Sequence, residues 1–474
     1  MSEIQLTGRR VGTAVSGTIV SGDPSTLFHG VSIDTRSIAP GQLFIAIRGE
    51  RFDGAEFADA AVAAGAAGLI VPRGRRPSAA PGGSMAAAPV VPVVIEVEDT
   101  TAALQSLART VRRESGTRVV AITGSAGKTT TKEVTGAFLA SQYRVVRNRG
   151  NLNNHIGLPL SLMELCSRPD IAVVELGMNH AGEISTLVGI AEPEVRVWTN
   201  VGEAHVGFFR SVDAIADTKA EIFEGASPAT LLVANADDDR VAARIGKFAG
   251  RVTTFGIDRA ADVRADAVAD RGVDGMAARV TTPRGVVNVT TPLVGRGNLA
   301  NVLAAAAVAL EFEVPLAVIA ERAAALRPAA HRGEIVRLAG GVTVIDDSYN
   351  ANPTATKRAI SVLAAAAAAR RIAVLGEMLE LGEFALDLHA EVGRAAAAAR
   401  VDRLVAIGGD AAAALATAAV SAGMAPGAVA HFPGSEQAAE VVAALVMPGD
   451  VVLVKGSRGV KTERVVERLK AERG

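Results

Sequence analysis

The segment Thr123-Gly124-Ser125-Ala126-Gly127-Lys128-Thr129-Thr130 has the residue types, in the right order, to hold phosphate. Glycines let backbone N–H groups turn toward an anion, and a helix starting just after the loop adds positive potential. The Lys128 ammonium can meet the outer phosphates, and the Thr129 hydroxyl can ligate magnesium. The spacing is short: two residues, not the usual four, separate the first glycine from Gly127-Lys128, and Ile122 stands where the earlier glycine would be. On the octapeptide alone a structural turn of the same composition stays open. Its setting, between the apolar run 118–122 and a helical pattern from about Lys132, favours nucleotide chemistry.

Other residues fall where a bound nucleotide could reach them. Glu175 ends the apolar run from Asp170, and a carboxylate at a strand's C-terminal end suits magnesium, a hard ion that prefers oxygen. An ordinary strand-end acid is the alternative. His205 follows the run Val195–Val201 in a loop, where a neutral imidazole could complete a metal shell or simply face water. Lys219, in the helical segment from Asp217, reads by itself as a solvated lysine paired with nearby acids. Asn298 and Asn301 open a helix; their amides offer the donor and acceptor that an adenine edge needs, while helix capping by Asn298 competes equally. Four asparagines fall within residues 148–154, more than a plain turn requires, and this polar loop could face a polar substrate.

The elements that must position these residues are legible in outline. Runs Arg118–Thr123, Asp170–Leu176, Val195–Val201 and Thr230–Asn235 read as buried parallel strands joined by helical crossovers. Before them lie a strand Gln42–Ile47, a helix Glu56–Gly65, a strand Val93–Val97 and a helix capped by Asp99 or Thr100 that reaches about Glu114. The Pro-, Gly-, Ala- and Arg-rich stretch Pro72–Pro92 reads as a flexible surface excursion. Residues 251–295 suggest short strands joined by Asp/Gly turns, followed by a helix Asn298–Leu310. After Pro328, strands Val342–Asp346, Arg371–Leu375, Arg403–Ile407 and Asp450–Val454 alternate with helices carrying the alanine runs 364–369 and 395–399, as in a doubly wound sheet.

Bulk properties narrow the class. A length of 474 residues suits about three domains, and 49 basic against 50 acidic side chains leave no nucleic-acid footprint. One cysteine, Cys166, cannot form an internal disulfide, and a reducing cytoplasm fits it. The N-terminus lacks a signal-peptide pattern, and no apolar run is long enough to span a bilayer, so no membrane insertion is expected.

Taken in order, these segments resemble the Mur ligases, the ATP-dependent amide-bond-forming family of peptidoglycan assembly. The resemblance runs through the phosphate loop, Asn151-Leu-Asn-Asn-His-Ile-Gly-Leu-Pro159, Thr199-Asn-Val-Gly-Glu-Ala-His205, Lys219-Ala-Glu-Ile-Phe223, Gly297-Asn-Leu-Ala-Asn301, His331-Arg-Gly-Glu334 and Val454-Lys-Gly-Ser-Arg458. Glu175-Leu-Gly-Met-Asn179, Asp346-Asp-Ser-Tyr-Asn-Ala-Asn-Pro353 and Leu375-Gly-Glu-Met-Leu-Glu-Leu-Gly382 are similar to its D-alanyl-D-alanine-adding branch. Asp34-Thr-Arg-Ser-Ile-Ala-Pro-Gly-Gln-Leu-Phe-Ile-Ala46 resembles the family's UDP-binding module. The segment Lys455–Glu463 departs, since relatives often carry a methionine before the glutamate.

The resemblance implies an α/β chain of three domains: a small UDP-substrate-binding domain at 1–115, a central P-loop ATPase domain with a mostly parallel sheet at 116–328, and a Rossmann-like doubly wound domain at 329–474. It implies that Gly124, Ser125, Ala126, Gly127, Lys128, Thr129 and Thr130 hold the ATP phosphates, that Thr129 and Glu175 bind one magnesium ion, and that His205 and Lys219 bind a second. The matching lysine of the family is typically carbamylated, which turns a repelling ammonium into a carboxylate-like ligand. It further implies Asn298 and Asn301 on adenine, Asp347 on ribose, Arg332 on the γ-phosphate, Asp34, Thr35 and Arg36 at uridine, and Asn153 and Asn154 facing the UDP-sugar peptide. Asn350, Asn352, Lys455, Ser457 and Arg458 would meet acceptor or ATP.

The implied reaction joins D-alanyl-D-alanine to UDP-N-acetylmuramoyl-tripeptide through an acyl phosphate, with ADP and phosphate released. A carboxylate attacking ATP is anion meeting anion, which magnesium, Lys128 and Arg332 would neutralise. A monomer is expected. The competing readings are a sister ligase, either the third-residue ligase or a folylpolyglutamate synthase, and a nucleotide-binding scaffold without ligase activity. The presence of Lys128, Glu175, His205 and Lys219 together argues against the scaffold.

Overall fold

Parallel strands joined by helices dominate the chain, in a computed structural model that describes residues 3–49, 51–78 and 91–474. The chain divides into two compact units: residues 1–121, 143–178 and 183–194 form the first, and 122–142, 179–182 and 195–474 the second.

In the first unit a five-stranded sheet runs in the order Thr18–Ser21, Val93–Val97, Gly68–Pro72, Leu43–Ile45, Val31–Ser32, antiparallel only at the Thr18–Ser21 edge. Its inner strands are Val/Leu/Ile runs that are almost wholly buried, as strands covered on both faces must be. The helix Thr100–Ser115 begins where the Asp99 carboxylate accepts the N–H groups of Thr101 and Ala102, and ends at Gly116, which has φ +68°. Leu104, Leu107, Ala108 and Val111 form its buried stripe. The segment expected as a helix from Glu56 to Gly65 is a 3-10 turn, Gly54–Phe57, followed by the helix Ala58–Ala63. Of the Pro72–Pro92 excursion, residues 79–90 lie outside the described residues. The start of the phosphate-loop strand, Arg118–Thr123, belongs to this unit: the Arg118 N–H bonds the Asp170 carbonyl, next to the strand Ile171–Glu175, which pairs in parallel with Val145–Arg147.

In the second unit the end of that strand bonds through the Thr199 N–H to the Thr123 carbonyl, next to Val195–Trp198. Parallel pairing continues through Leu231–Asn235, Arg251–Gly256 and Val263–Asp270, and an antiparallel meander of Met276–Thr282 and Gly285–Thr291 completes the run. The same unit holds a six-stranded sheet ordered Glu334–Arg337, Thr343–Asp347, Val451–Lys455, Arg371–Gly376, Arg403–Ile407, Val429–Phe432, antiparallel only at its first pair. Val344, Ile372, Val374, Val405, Val452 and Val454 build its core with flanking helices.

Several expected boundaries move. The phosphate-loop helix starts at Lys128, not Lys132, because Gly127 at φ +84° turns the chain directly into it. The later helix starts at Arg296, capped by Gly295, so the competing role of Asn298 as a cap is ruled out. The first alanine run leaves its helix at Ala366, whose backbone is extended; the helix is Pro353–Ala365. Among the described residues no helix is long and apolar enough to cross a membrane.

Candidate active site

The phosphate loop is shaped by two glycines that no other residue could replace without strain. Gly124 has φ +148°, and a Cβ there would stand 1.9 Å from Thr199 Oγ1. At Gly127 a Cβ would stand 2.4 Å from Asn301 Oδ1. The neighbouring segment Thr199–Gly202 clamps the loop from one side. Asn200 accepts the Ser125 N–H at its carbonyl (3.0 Å) and the Ala126 N–H at Oδ1 (2.9 Å), and returns Nδ2 to the Ala126 carbonyl (2.9 Å). Ser125 Oγ donates to the Gly202 carbonyl and accepts its N–H. In this structure the Ser125 and Ala126 N–H groups, expected at the phosphates, both bond to Asn200. Helix geometry leaves the first turn, Gly127–Thr130, as the anion-facing end. Lys128 Nζ donates to the Gly124 carbonyl at 2.7 Å.

Lys219 sits near the end of the helix Val212–Ala220 with its side chain wholly buried. Burial first, and the Lys128 charge second, push its amine well below the ordinary lysine value of 10.5. The solvated, acid-paired lysine expected from its neighbours is thus excluded: Asp217 pairs with Arg244 instead (2.8 Å). His205 adopts the left-handed conformation, φ +63°, ahead of the short turn Val206–Phe208. Its Nδ1 lies 2.5 Å from Glu380 Oε2, an electrostatic contact in which the ring N–H is not aligned for a regular hydrogen bond. That contact holds the Glu380 carboxyl below its usual range.

In the first unit Glu175 is buried at its strand end. Its N–H bonds Asn148 Oδ1 (3.0 Å), and its Oε1 accepts Asn153 Nδ2 (2.9 Å). Asn154 Oδ1 accepts the Ile156 and Gly157 N–H groups at the start of the helix Gly157–Leu162. The asparagine-rich loop thus orients a carboxylate and starts a helix, roles that its composition did not disclose. Asp34 and Arg36 form a bidentate pair across Thr35 (2.9 and 2.6 Å), which lowers the Asp34 carboxyl to about 2 and leaves the guanidinium largely exposed.

Around the six-stranded sheet, Arg332 lies over the Tyr349 ring at 4.0 Å, with Arg458 5.9 Å from the same ring. Lys455 Nζ joins Asp347 (2.7 Å) to the Asn350 carbonyl (2.9 Å). Ser457 Oγ accepts the Leu379 N–H. Asn352 caps the helix Pro353–Ala365 and reaches the Ser125 carbonyl at 3.4 Å, so it meets the phosphate loop itself. Asn298 and Asn301 bond each other (3.1 Å), and the contact with Gly127 puts Asn301 under the loop.

Taken unit by unit, the side chains have the chemistry of ligands for a hard divalent ion: the first unit holds a buried carboxylate bonded to an amide, and the second an imidazole facing a carboxylate and a buried amine beside Lys128. Sequence reasoning missed Asn200, Tyr349 and Glu380; only their neighbours in the motifs could have pointed to them.

Family comparison covers most of the chain. Residues 27–112 match the Mur ligase family catalytic domain, 122–309 the Mur ligase middle domain and 331–458 the Mur ligase glutamate ligase domain. The UDP-N-acetylmuramoyl-tripeptide–D-alanyl-D-alanine ligase of Bacillus subtilis is 34% identical, covering 98% of each chain. MurF from Acinetobacter baumannii superposes with a TM-score of 0.88 at 31% identity, covering 99% of this chain and 100% of that one. MurF from Thermotoga maritima, solved with ADP, gives 0.80 at 28% identity over 94% and 97%.

Proposed function

The chain belongs to the Mur ligase family, and from that premise we propose how its residues divide the work. The protein is an ATP-dependent ligase of the MurF type, adding D-alanyl-D-alanine to UDP-N-acetylmuramoyl-tripeptide in peptidoglycan synthesis. The sister-ligase readings give way to this one because full-length relatives at about a third identity share the dipeptide-adding activity in their names.

In our reading the first turn Gly127–Thr130 and Lys128 take the ATP phosphates, with Asn200 holding the loop rigid. Asn298 and Asn301 serve adenine, Asp347 ribose, and Arg332 the γ-phosphate. The Tyr349 ring lies under the Arg332 guanidinium at 4.0 Å and restricts where that charge can sit before phosphate arrives. Thr129, Glu175, His205 and a carbamylated Lys219 would hold two magnesium ions, whose positive charge offsets repulsion between carboxylate and triphosphate. The tripeptide carboxylate takes the γ-phosphoryl group and ADP leaves. The dipeptide amine then attacks the acyl phosphate and phosphate departs. Asp34, Thr35 and Arg36 serve uridine, Asn153 and Asn154 the UDP-sugar peptide, and Asn350, Asn352, Lys455, Ser457 and Arg458 the acceptor or ATP. We place the domain boundaries at 115/116 and 328/329, and the enzyme in the cytoplasm as a monomer.

The observation that carries the residue assignment is the burial of Lys219 beside Lys128. A cation is expensive to bury unpaired, and carbamylation removes that conflict while creating a ligand. Purified protein supplied with ATP, magnesium, UDP-muramoyl-tripeptide and D-alanyl-D-alanine is expected to release phosphate and form the pentapeptide. Phosphate release that ignores the dipeptide would overturn this function.

A further inference from the structure

The loop from Thr199 to Gly207 is gripped at several points by segments flanking the six-stranded sheet. Thr354 Oγ1 donates to Glu203 Oε2 at 2.5 Å. The Gly207 N–H bonds the Glu380 carbonyl at 3.0 Å, and the Glu380 carboxylate meets His205 Nδ1. The two backbones touch: a Cβ on Gly207 would lie 2.6 Å from the Gly382 nitrogen, and one on Gly382 would lie 2.9 Å from Gly207 Cα.

Both partners of this contact sit in left-handed backbone, His205 at φ +63° and Glu380 at φ +67°. Non-glycine residues adopt that conformation uncommonly and at a cost. A surface ion pair contributes roughly 0–1 kcal/mol and needs neither strained backbone nor close glycine docking. The arrangement makes sense if the orientation of the imidazole, and not stability, is what is being fixed.

We propose that Glu380 is a positioning residue for His205: its carboxylate draws the ring proton to Nδ1, leaving the Nε2 lone pair free as a metal donor. The inference rests on the metal reading of His205 given above. It also ties that donor to the Leu375–Gly382 segment, because the Gly207–Glu380 backbone bond and the carboxylate–imidazole contact come from the same turn. Metal-binding histidines are commonly oriented by a carboxylate on the second nitrogen, and losing that partner typically costs ten- to a hundredfold in metal affinity.

Ring-nitrogen chemical shifts of His205 in the full-length protein, read by NMR without metal, report the tautomer. The Nδ1–H form is expected to dominate in the wild type, to give way in Glu380→Ala, and to return in Glu380→Gln, whose amide oxygen still accepts. Mn2+ binding followed by electron paramagnetic resonance with ADP present is expected to weaken about tenfold in Glu380→Ala, with ADP affinity unchanged. A tautomer indifferent to Glu380→Ala overturns the proposal, as does Mn2+ affinity lost in His205→Ala but intact in Glu380→Ala. Should the tautomer respond while neither variant alters Mn2+ affinity, the metal reading falls and tautomer control by Glu380 stands.

Discussion

At the scale of the residue, Lys219 is the sharpest test. Its amine is buried, and both burial and Lys128 disfavour the ammonium. The sign matters for chemistry: only the neutral amine reacts with carbon dioxide, and the downward shift enlarges that form's share at any given pH. As pH falls through the depressed value the amine takes up a proton and the carbamate is lost. Protein equilibrated with 13C-labelled bicarbonate is therefore expected to show one carbamate carbon signal that fades on acidification and is absent in Lys219→Ala. The same variant is expected to lose at least a hundredfold in ligase rate, about 3 kcal/mol of transition-state stabilisation, with part restored by added short carboxylates. Wild-type activity in Lys219→Ala would make the residue structural.

At the scale of the element, the sequence discloses strands and loops better than it discloses what grips them. Val119, Val120 and Ile122, or Ile171 to Val174, are buried apolar runs whose positions follow from hydrophobicity alone. The edge strands Glu334–Arg337 and Val429–Phe432 escape that reading because half-exposed positions carry no continuous apolar run. The helix at Lys128 begins a turn early because a positive-φ glycine, not a polar cap, launches it. Asn200 is silent in sequence for another reason. Its two-way bond to Ala126 joins residues 74 apart, and nothing local marks such a pairing. Its removal should loosen the loop without touching the ligand. Asn200→Ala leaves the Ala126 N–H without its partner, at a cost of about 1–3 kcal/mol where buried, while the Ala126 carbonyl keeps only the Thr199 hydroxyl. The expected result is a rise in the KM for ATP of about tenfold or more, with the KM for D-alanyl-D-alanine unchanged in steady-state kinetics. An unchanged ATP KM would mean that the loop holds its shape through Thr199 and Ser125 alone.

At the scale of the whole molecule, the reaction sets a demand that no single element meets: an acyl phosphate must form and be attacked by an amine while water is kept away. The contacts from the six-stranded sheet to the phosphate-loop neighbourhood include Asn352 to Ser125, Thr354 to Glu203 and Glu380 to His205. These contacts are polar, and at roughly 0.5–1.5 kcal/mol for a typical hydrogen bond they form a latch that substrate binding can close or release. Residues after Pro328 are therefore expected to move as a rigid body. X-ray scattering should give a smaller radius of gyration with an ATP analogue and the UDP-substrate together than without them. Gly207→Val separates this motion from simple ligand ordering, because its side chain would meet the Gly382 nitrogen and Glu380 carbonyl at the point of docking. That variant should bind ADP normally, show no contraction with the two ligands, and release phosphate without forming pentapeptide as water reaches the acyl phosphate. Profiles that superpose with and without ligands in the wild type would mean that the latch stays shut through the cycle.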